Sequence, residues 1–214
     1  MFDKAWEKEI YLKKKQINKY PYDWVVSSVN KYANNKKNCL DIGCGTGNNL
    51  IFLNKFGFKN IHGIEGSKTA CKILRKIVNN KNIIIFNNDF LNFNYKNSYY
   101  DLVLDRGSVT HNSNKDIKLM IKKIYKSLNY GGIFMSVMFN NKGTYKTKNK
   151  NGRHFKTNTN TKKGLITNFF KKEEIIKMFE KFEIIELKEE THQIHLPVNQ
   201  TFSTWNIICK KNLS

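Results

Sequence analysis

Two prolines and four cysteines are all that a chain of 214 residues contains of either type. The cysteines, Cys39, Cys44, Cys71 and Cys209, stand far apart with no C-x-x-C spacing, which tells against a zinc site and a disulfide framework alike. Reduced thiols fit a cytoplasmic chain. No apolar run exceeds strand length, Ile83–Phe86 being typical, so no segment suits a membrane span. Residues 1–10 carry charges and lack the apolar stretch of a secretion signal. Internal repeats and linkers are also missing. The chain therefore reads as one domain, 1–214, long enough for a full hydrophobic core.

Acid is scarce as well: 17 Asp and Glu face 38 Lys and Arg, for a net charge of +21. Such a balance invites a nucleic-acid partner. However, only three of the basic residues are arginines, Arg75, Arg106 and Arg153, and they lie far apart in sequence. Surfaces that read phosphates and bases favour the Arg fork. Lys, Asn and Ile are abundant together, the joint bias that A/T-rich codons produce. The surplus charge is read as a solvated Lys-rich surface whose field draws in anionic small molecules, and nucleic acid is disfavoured as a partner.

What the chain does have is alternation. Residues 1–34 read as a helical flap in two pieces, broken at Tyr20-Pro21-Tyr22-Asp23. Strands follow at Asn38–Ile42, Ile61–Ile64, Asn82–Phe86 (expected buried), Tyr100–Leu104 and Ile133–Phe139, with helical patterns between them. The clearest helix is Lys115–Leu128, with Ile117, Met120, Ile121 and Ile124 on one face. Strand-helix alternation at this spacing predicts an α/β fold: an open parallel sheet with helices on both faces. Residues 140–164 are rich in Asn, Lys, Thr and Gly without periodicity, and are read as a long mobile loop and a possible lid. A helix at Lys171–Phe179 and strands at Glu183–Leu187 and Phe202–Cys209 close the chain. The last two predict a hairpin, hence antiparallel pairing at the end of the sheet.

In open α/β sheets ligands bind beyond the carboxyl ends of the strands. Here those ends carry Asp41 and Gly43-Cys44-Gly45-Thr46-Gly47, then Glu65-Gly66, then Asp89-Phe90, then Asp105-Arg106-Gly107-Ser108-Val109-Thr110-His111. The first run, D-x-G-x-G-x-G, resembles motif I of the class I S-adenosylmethionine-dependent methyltransferases. Its third glycine comes one residue too early for a dinucleotide fingerprint, and the terminal hairpin also opposes a dehydrogenase. The resemblance spans about Asn38 to Phe139. It implies a Rossmann-like, mostly parallel seven-stranded sheet with an antiparallel terminal strand. It also implies S-adenosylmethionine as cofactor, with S-adenosylhomocysteine as product.

Carried over residue by residue, the resemblance gives Gly43, Cys44, Gly45 and Gly47 a close backbone approach to the ligand, braced by Asp41. Glu65, next to Gly66, would accept from the ribose hydroxyls, and Asp89 from the adenine amine, under cover of Phe90. Asp105 completes the cofactor set. The D-R-G-S-x-T-H run looks like small bacterial methyltransferases of surface-polysaccharide or sugar biosynthesis. There is neither a D/N-P-P-Y/F run nor a Pro-Cys pair, the signatures of DNA amino- and C5-methylation.

O-methylation of a sugar, sugar nucleotide or phosphorylated precursor is the activity expected, with an RNA or protein methyltransferase and a non-catalytic adenosylmethionine-binding module as alternatives. A hydroxyl acceptor benefits from a general base, and His is the side chain suited to neutral pH. His111 is the first choice, then His192 and His195. Arg106, Ser108, Arg153 and His154 are candidates for holding the acceptor. No acid or Asn cluster accompanies Asp105, so no metal is expected.

Overall fold

The structure is a computed structural model that describes residues 2–143, 146–149, 152–157, 166–197 and 199–212, with nothing to say of side chains in 144–166. Its sheet begins with five parallel strands: β1 (Asn38–Ile42), β2 (Asn60–Glu65), β3 (Ile83–Asn87), β4 (Tyr100–Asp105) and β5 (Leu128–Asn140). They lie in the order β3-β2-β1-β4-β5. The order reverses between β1 and β4, where Ile42 pairs with Asp105, and both strands are buried along their whole length. Both are mostly apolar, as a strand covered on both faces must be, with buried acids at Asp41 in β1 and at Asp101 and Asp105 in β4.

Beyond β5 the chain inserts β10 (Gln200–Lys210) antiparallel, with β9 (Glu183–Ile194) antiparallel to β10 in turn. These seven strands form the expected Rossmann-like sheet. Helices cover both of its faces. Alternate residues of β4 show the division: Leu102 and Leu104 face the cluster built with α1 (Asp23–Tyr32), α2 (Asn48–Phe56) and α3 (Lys68–Ile77). Tyr100 and Val103 face α4 (Asn114–Ser127) and α5 (Lys172–Met178). On α4 the stripe Ile117, Met120, Ile121 and Ile124 is buried, each side chain contributing roughly 1.5–3 kcal/mol of burial. Ser113 caps that helix by accepting from the Asp116 amide at 3.1 Å.

Three expectations are corrected. β3 is the edge of the sheet and only half-buried, with Ile84 49% exposed, so its unbroken apolar run did not mean full cover. Part of the expected loop at 140–164 is paired: β6 (Lys146–Asn149) and β7 (Gly152–Thr157) form an antiparallel hairpin. Polar residues dominate both strands, so no apolar alternation marks them, and 158–164 lie outside the described residues. β8 (Ile166–Phe170) was not foreseen. It pairs antiparallel with β7 and meets the carboxyl end of β5 at Phe139 and Asn140. Trp205 on β10 fastens it by donating from Nε1 to the Phe170 carbonyl at 2.9 Å.

Candidate functional site

The turn after β1 is built by backbone conformation. Gly43, Gly45 and Gly47 have φ of 66°, 55° and 86°, which only glycine adopts at no steric cost. Neighbouring side chains fill the space their Cβ atoms would need. A Cβ on Gly43 would lie 2.1 Å from Ser108 Oγ, and one on Gly47 would lie 2.0 Å from Leu74 Cδ1. The turn is also tied to the N-terminal segment: Thr46 Oγ1 donates to the Asn18 carbonyl at 3.2 Å and Asn48 Nδ2 to that of Tyr20 at 2.8 Å.

Glu65 closes β2 with both carboxylate oxygens engaged, accepting from the Gly45 amide at 2.9 Å and the Ser67 amide at 2.7 Å. It is 4% exposed, and burial pushes its carboxyl up to about 7, against the pull of those two amides. Asp41 lies deeper. Burial, then the charges of Asp105 and Glu65, hold it well above the usual carboxylate range, and its Oδ2 has no hydrogen-bond partner among the described residues.

Asp105 closes β4 beneath the next loop. Its carboxylate accepts from the Ser108 amide (2.7 Å), the Val109 amide (3.0 Å) and Ser136 Oγ (2.8 Å). It braces the loop after β4 from beneath, and burial raises it to about 6. That loop ends in a short 3₁₀ turn, Val109–His111, which carries His111 into the wall of a cavity. The imidazole is 6% exposed, its Nδ1 2.8 Å from Thr167 Oγ1. Phe139 meets it edge-on at 5.5 Å and Trp6 at 5.0 Å.

Trp6 belongs to a strap that closes the cavity. A π-helical turn, Trp6–Tyr11, follows Phe2, whose amide donates to Asp89 Oδ2 at 2.6 Å. The Phe2 ring lies flat on Gly66, within 2.2–2.6 Å of where a Cβ would stand. Glu7 reaches the N-terminus of α3, accepting from Ser67 Oγ and Thr69 Oγ1 at 2.5 Å each. A carboxylate there meets the positive end of the helix dipole. The open space left at the centre of the cavity is about 80 Å³. Asp89 is thus engaged by the strap, and any ligand using its Oδ2 competes with the Phe2 amide.

Of the residues singled out from the sequence, Gly43, Cys44, Gly45, Glu65, Gly66, Phe90, Arg106, Ser108 and His111 line this cavity. Asp41, Asp89 and Asp105 sit behind or beside it, and Gly47 shapes the turn. His192 and His195 are not brought to it. Both are exposed, on the outer hairpin, and His192 pairs with Glu190 at 3.0 Å. Their alternation with apolar residues marks an edge strand, not a site. Arg153 and His154 fall on β7, and their side chains lie outside the described residues. Sequence reasoning missed Phe2, Tyr11, Tyr22 and Thr167. The only signal for the first three was an aromatic-rich flap. No group of three or more His, Cys, Asp or Glu suited to a metal occurs among the described residues.

The geometry now meets the comparisons. A family profile described as a methyltransferase domain matches residues 39–132. Over these residues the chain is similar to a methyltransferase domain. The chain is 33% identical over 105 residues to human EEF1A lysine methyltransferase 2, covering 45% of this chain and 44% of that protein. It is 28% identical over 112 residues to phosphoethanolamine N-methyltransferase of Plasmodium falciparum, covering 52% and 41%. The chain thus spans less than half the length of the curated relatives it matches. Among solved structures, a methyltransferase from Methanosarcina mazei superposes with a TM-score of 0.68 at 16% identity, over 91% of this chain and all of that one.

The cofactor of this family is S-adenosylmethionine, and the donor set fits it. Glu65 retains acceptor capacity on both oxygens beyond its two amide bonds, enough for a pair of ribose hydroxyls. Asp41 Oδ2 is a buried acceptor lacking a donor beneath the glycine turn. Gly43 and Gly45 of the turn present backbone to the cavity, with Cys44 and Thr46 also in its lining.

Proposed function

We propose that the protein methylates a hydroxyl of a small polar acceptor, of the sugar, sugar-nucleotide or phosphorylated glycan-precursor kind, using S-adenosylmethionine. When bound, that cofactor supplies an electrophilic methyl group on a sulfonium. The observation that carries the reading is His111, buried in the wall of the cavity that the glycine turn and Glu65 also line. The proposed base is the tautomer in which Nδ1–H donates to Thr167 Oγ1, 2.8 Å away, and Nε2 accepts the proton. The edge contacts of Trp6 and Phe139 hold the ring in one plane, so His111 receives the hydroxyl proton in a fixed direction. Alignment of the acceptor supplies the remainder of the rate. The cavity lining includes the amides Gln16, Asn18, Asn48 and Asn112, which suits hydroxyls better than an alkyl-ammonium chain. No helix among the described residues is long and apolar enough to cross a membrane, and the four cysteines are free and buried, which supports a reducing, cytoplasmic setting.

The test is methyl transfer from labelled S-adenosylmethionine to a panel of sugars, sugar nucleotides and phosphorylated sugars, with His111→Asn beside wild type. The variant should bind S-adenosylhomocysteine normally and turn over about 10²–10⁴-fold more slowly. Full activity in His111→Asn overturns the assignment of the base. The likeness to the human lysine methyltransferase favours a second reading, a protein lysine acceptor. Labelling of a protein fraction with none of the sugar panel would select it.

A further inference from the structure

Of 38 lysines and arginines in the chain, one lines the cavity among the described residues. It is Arg106, the residue that follows β4 and lies five positions before His111 in the same loop. Its guanidinium sits over the Tyr22 ring, 4.2 Å from Cζ to the ring centre. Tyr22 is held in turn by Asn18, whose Nδ2 donates to the phenol oxygen at 2.9 Å. The Nε of Arg106 is buried and has no hydrogen-bond partner. The adjacent carboxylate does not serve it: Asp105 spends its acceptors on Ser108, Val109 and Ser136, and no ion pair to Arg106 occurs among the described residues. A buried donor without an acceptor is costly, and a guanidinium held flat on an aromatic platform is already oriented for a bidentate oxyanion.

We propose that Arg106 is the anion-recognising residue of this site, taking a carboxylate or phosphate group. Resting on the methyl-transfer reading, this makes the acceptor an anionic one, such as a phosphorylated sugar or a sugar acid. The platform matters as much as the charge. Tyr22 fixes the position of the guanidinium from one side, and a bidentate anion would meet its N–H edge. Two sources of the same chemistry exist, the amino-acid carboxylate of the cofactor and an anionic group on the acceptor. The loop shared with His111 favours the acceptor.

Calorimetry separates them. Three probes are titrated into wild type, Arg106→Gln and Arg106→Lys: S-adenosylhomocysteine, 5′-methylthioadenosine (which lacks the carboxylate), and inorganic phosphate added to protein already loaded with S-adenosylhomocysteine. Arg106→Gln should weaken phosphate binding roughly ten- to hundredfold, with Arg106→Lys restoring only part. Unchanged S-adenosylhomocysteine affinity then places the anion on the acceptor. Loss of S-adenosylhomocysteine binding with methylthioadenosine unaffected places it on the cofactor. Arg75→Gln, on the exposed side of α3, removes the same charge from the surface and should leave phosphate binding unchanged. Equal weakening by Arg75→Gln, or all affinities of Arg106→Gln within about twofold of wild type, overturns the proposal. Tyr22→Leu provides a second variant that keeps the charge and removes the platform, and it should weaken phosphate binding too. If wild type fails to bind S-adenosylhomocysteine, the methyl-transfer reading fails, while phosphate titrated into the ligand-free protein still reads Arg106.

Discussion

Glu65→Gln tests the centre of the site through its pH dependence. The Glu65 carboxyl is raised by burial from 4.5 to about 7, so between those values the folded protein holds a proton that the unfolded chain has released. Stability contributed by this group therefore falls as pH rises through that window. The penalty is absent below about 4.5 and complete above about 7, and amounts to about 3 kcal/mol. Gln carries no charge, so it removes the slope. It also sets an NH₂ against the Gly45 or Ser67 amide, a cost that does not vary with pH. The difference in unfolding free energy between wild type and variant cancels the contribution of Asp105 and leaves that of Glu65 together with what its charge adds to Asp41. Urea titrations followed by tryptophan fluorescence should show that difference moving in favour of Gln by about 3 kcal/mol between pH 4.5 and 8. Binding runs the other way. Ribose hydroxyls donate to the ionised carboxylate, so wild-type affinity for S-adenosylhomocysteine should climb about tenfold per pH unit below 7 and level off above it. The variant should be flat and, above pH 7, weaker by about 1.5–3 kcal/mol. A stability difference that ignores pH, or unchanged affinity in Glu65→Gln, refutes the reasoning.

Two glycines test the walls. Gly66→Ala drives a methyl into the Phe2 ring, so it should lower stability by about 1–3 kcal/mol. Most of that loss should vanish in a Phe2→Ala background, and additive urea midpoints would show that the strap does not rest there. Gly47→Ala combines a φ of 86° with a Cβ 2.0 Å from Leu74 Cδ1, and should cost about 3 kcal/mol or more. Thermal melting at the wild-type temperature would refute that conformation.

The parts that sequence made legible are those where one local pattern has one physical outcome. A fully covered strand such as β4 carries an apolar run, Leu102 to Leu104, between its acids, and α4 must show its stripe at helical spacing. Gly43, Gly45 and Gly47 announce a backbone that other residues avoid. Position was legible for Glu65 and His111 because strand ends define where ligands bind. Partnership was not. Asp105 carries the same letter whether it meets a ligand or holds Ser108 and Val109, and burial alone distinguishes the two. The contact of Phe2 with Asp89 joins residues 87 apart, and no local periodicity encodes it. β8 escaped for another reason: five residues with Thr and Asn at its centre show no alternation, yet it delivers Thr167 to His111.

The two signs of charge in this molecule are segregated, and that separation bears on selectivity. The chain is strongly basic overall, but Asp41, Glu65, Asp89 and Asp105 converge on the strand ends, with Arg106 the only Lys or Arg lining the cavity among the described residues. Burial raises Asp41, and the charges of Asp105 and Glu65 raise it further. A ligand bearing positive charge relieves that repulsion, and a neutral one does not. On the proposal that the acceptor is anionic, the interior suits a cationic cofactor over its uncharged product, whereas the Lys-rich exterior would draw the acceptor toward Arg106. Two ligands of opposite charge would then be steered by different parts of one field. Raising the ionic strength screens the exterior far more than the buried acids. The KM for an anionic acceptor should thus rise with salt while affinity for S-adenosylmethionine stays nearly constant. Parallel weakening of both would mean that the exterior field, not the acid cluster, gathers the cofactor.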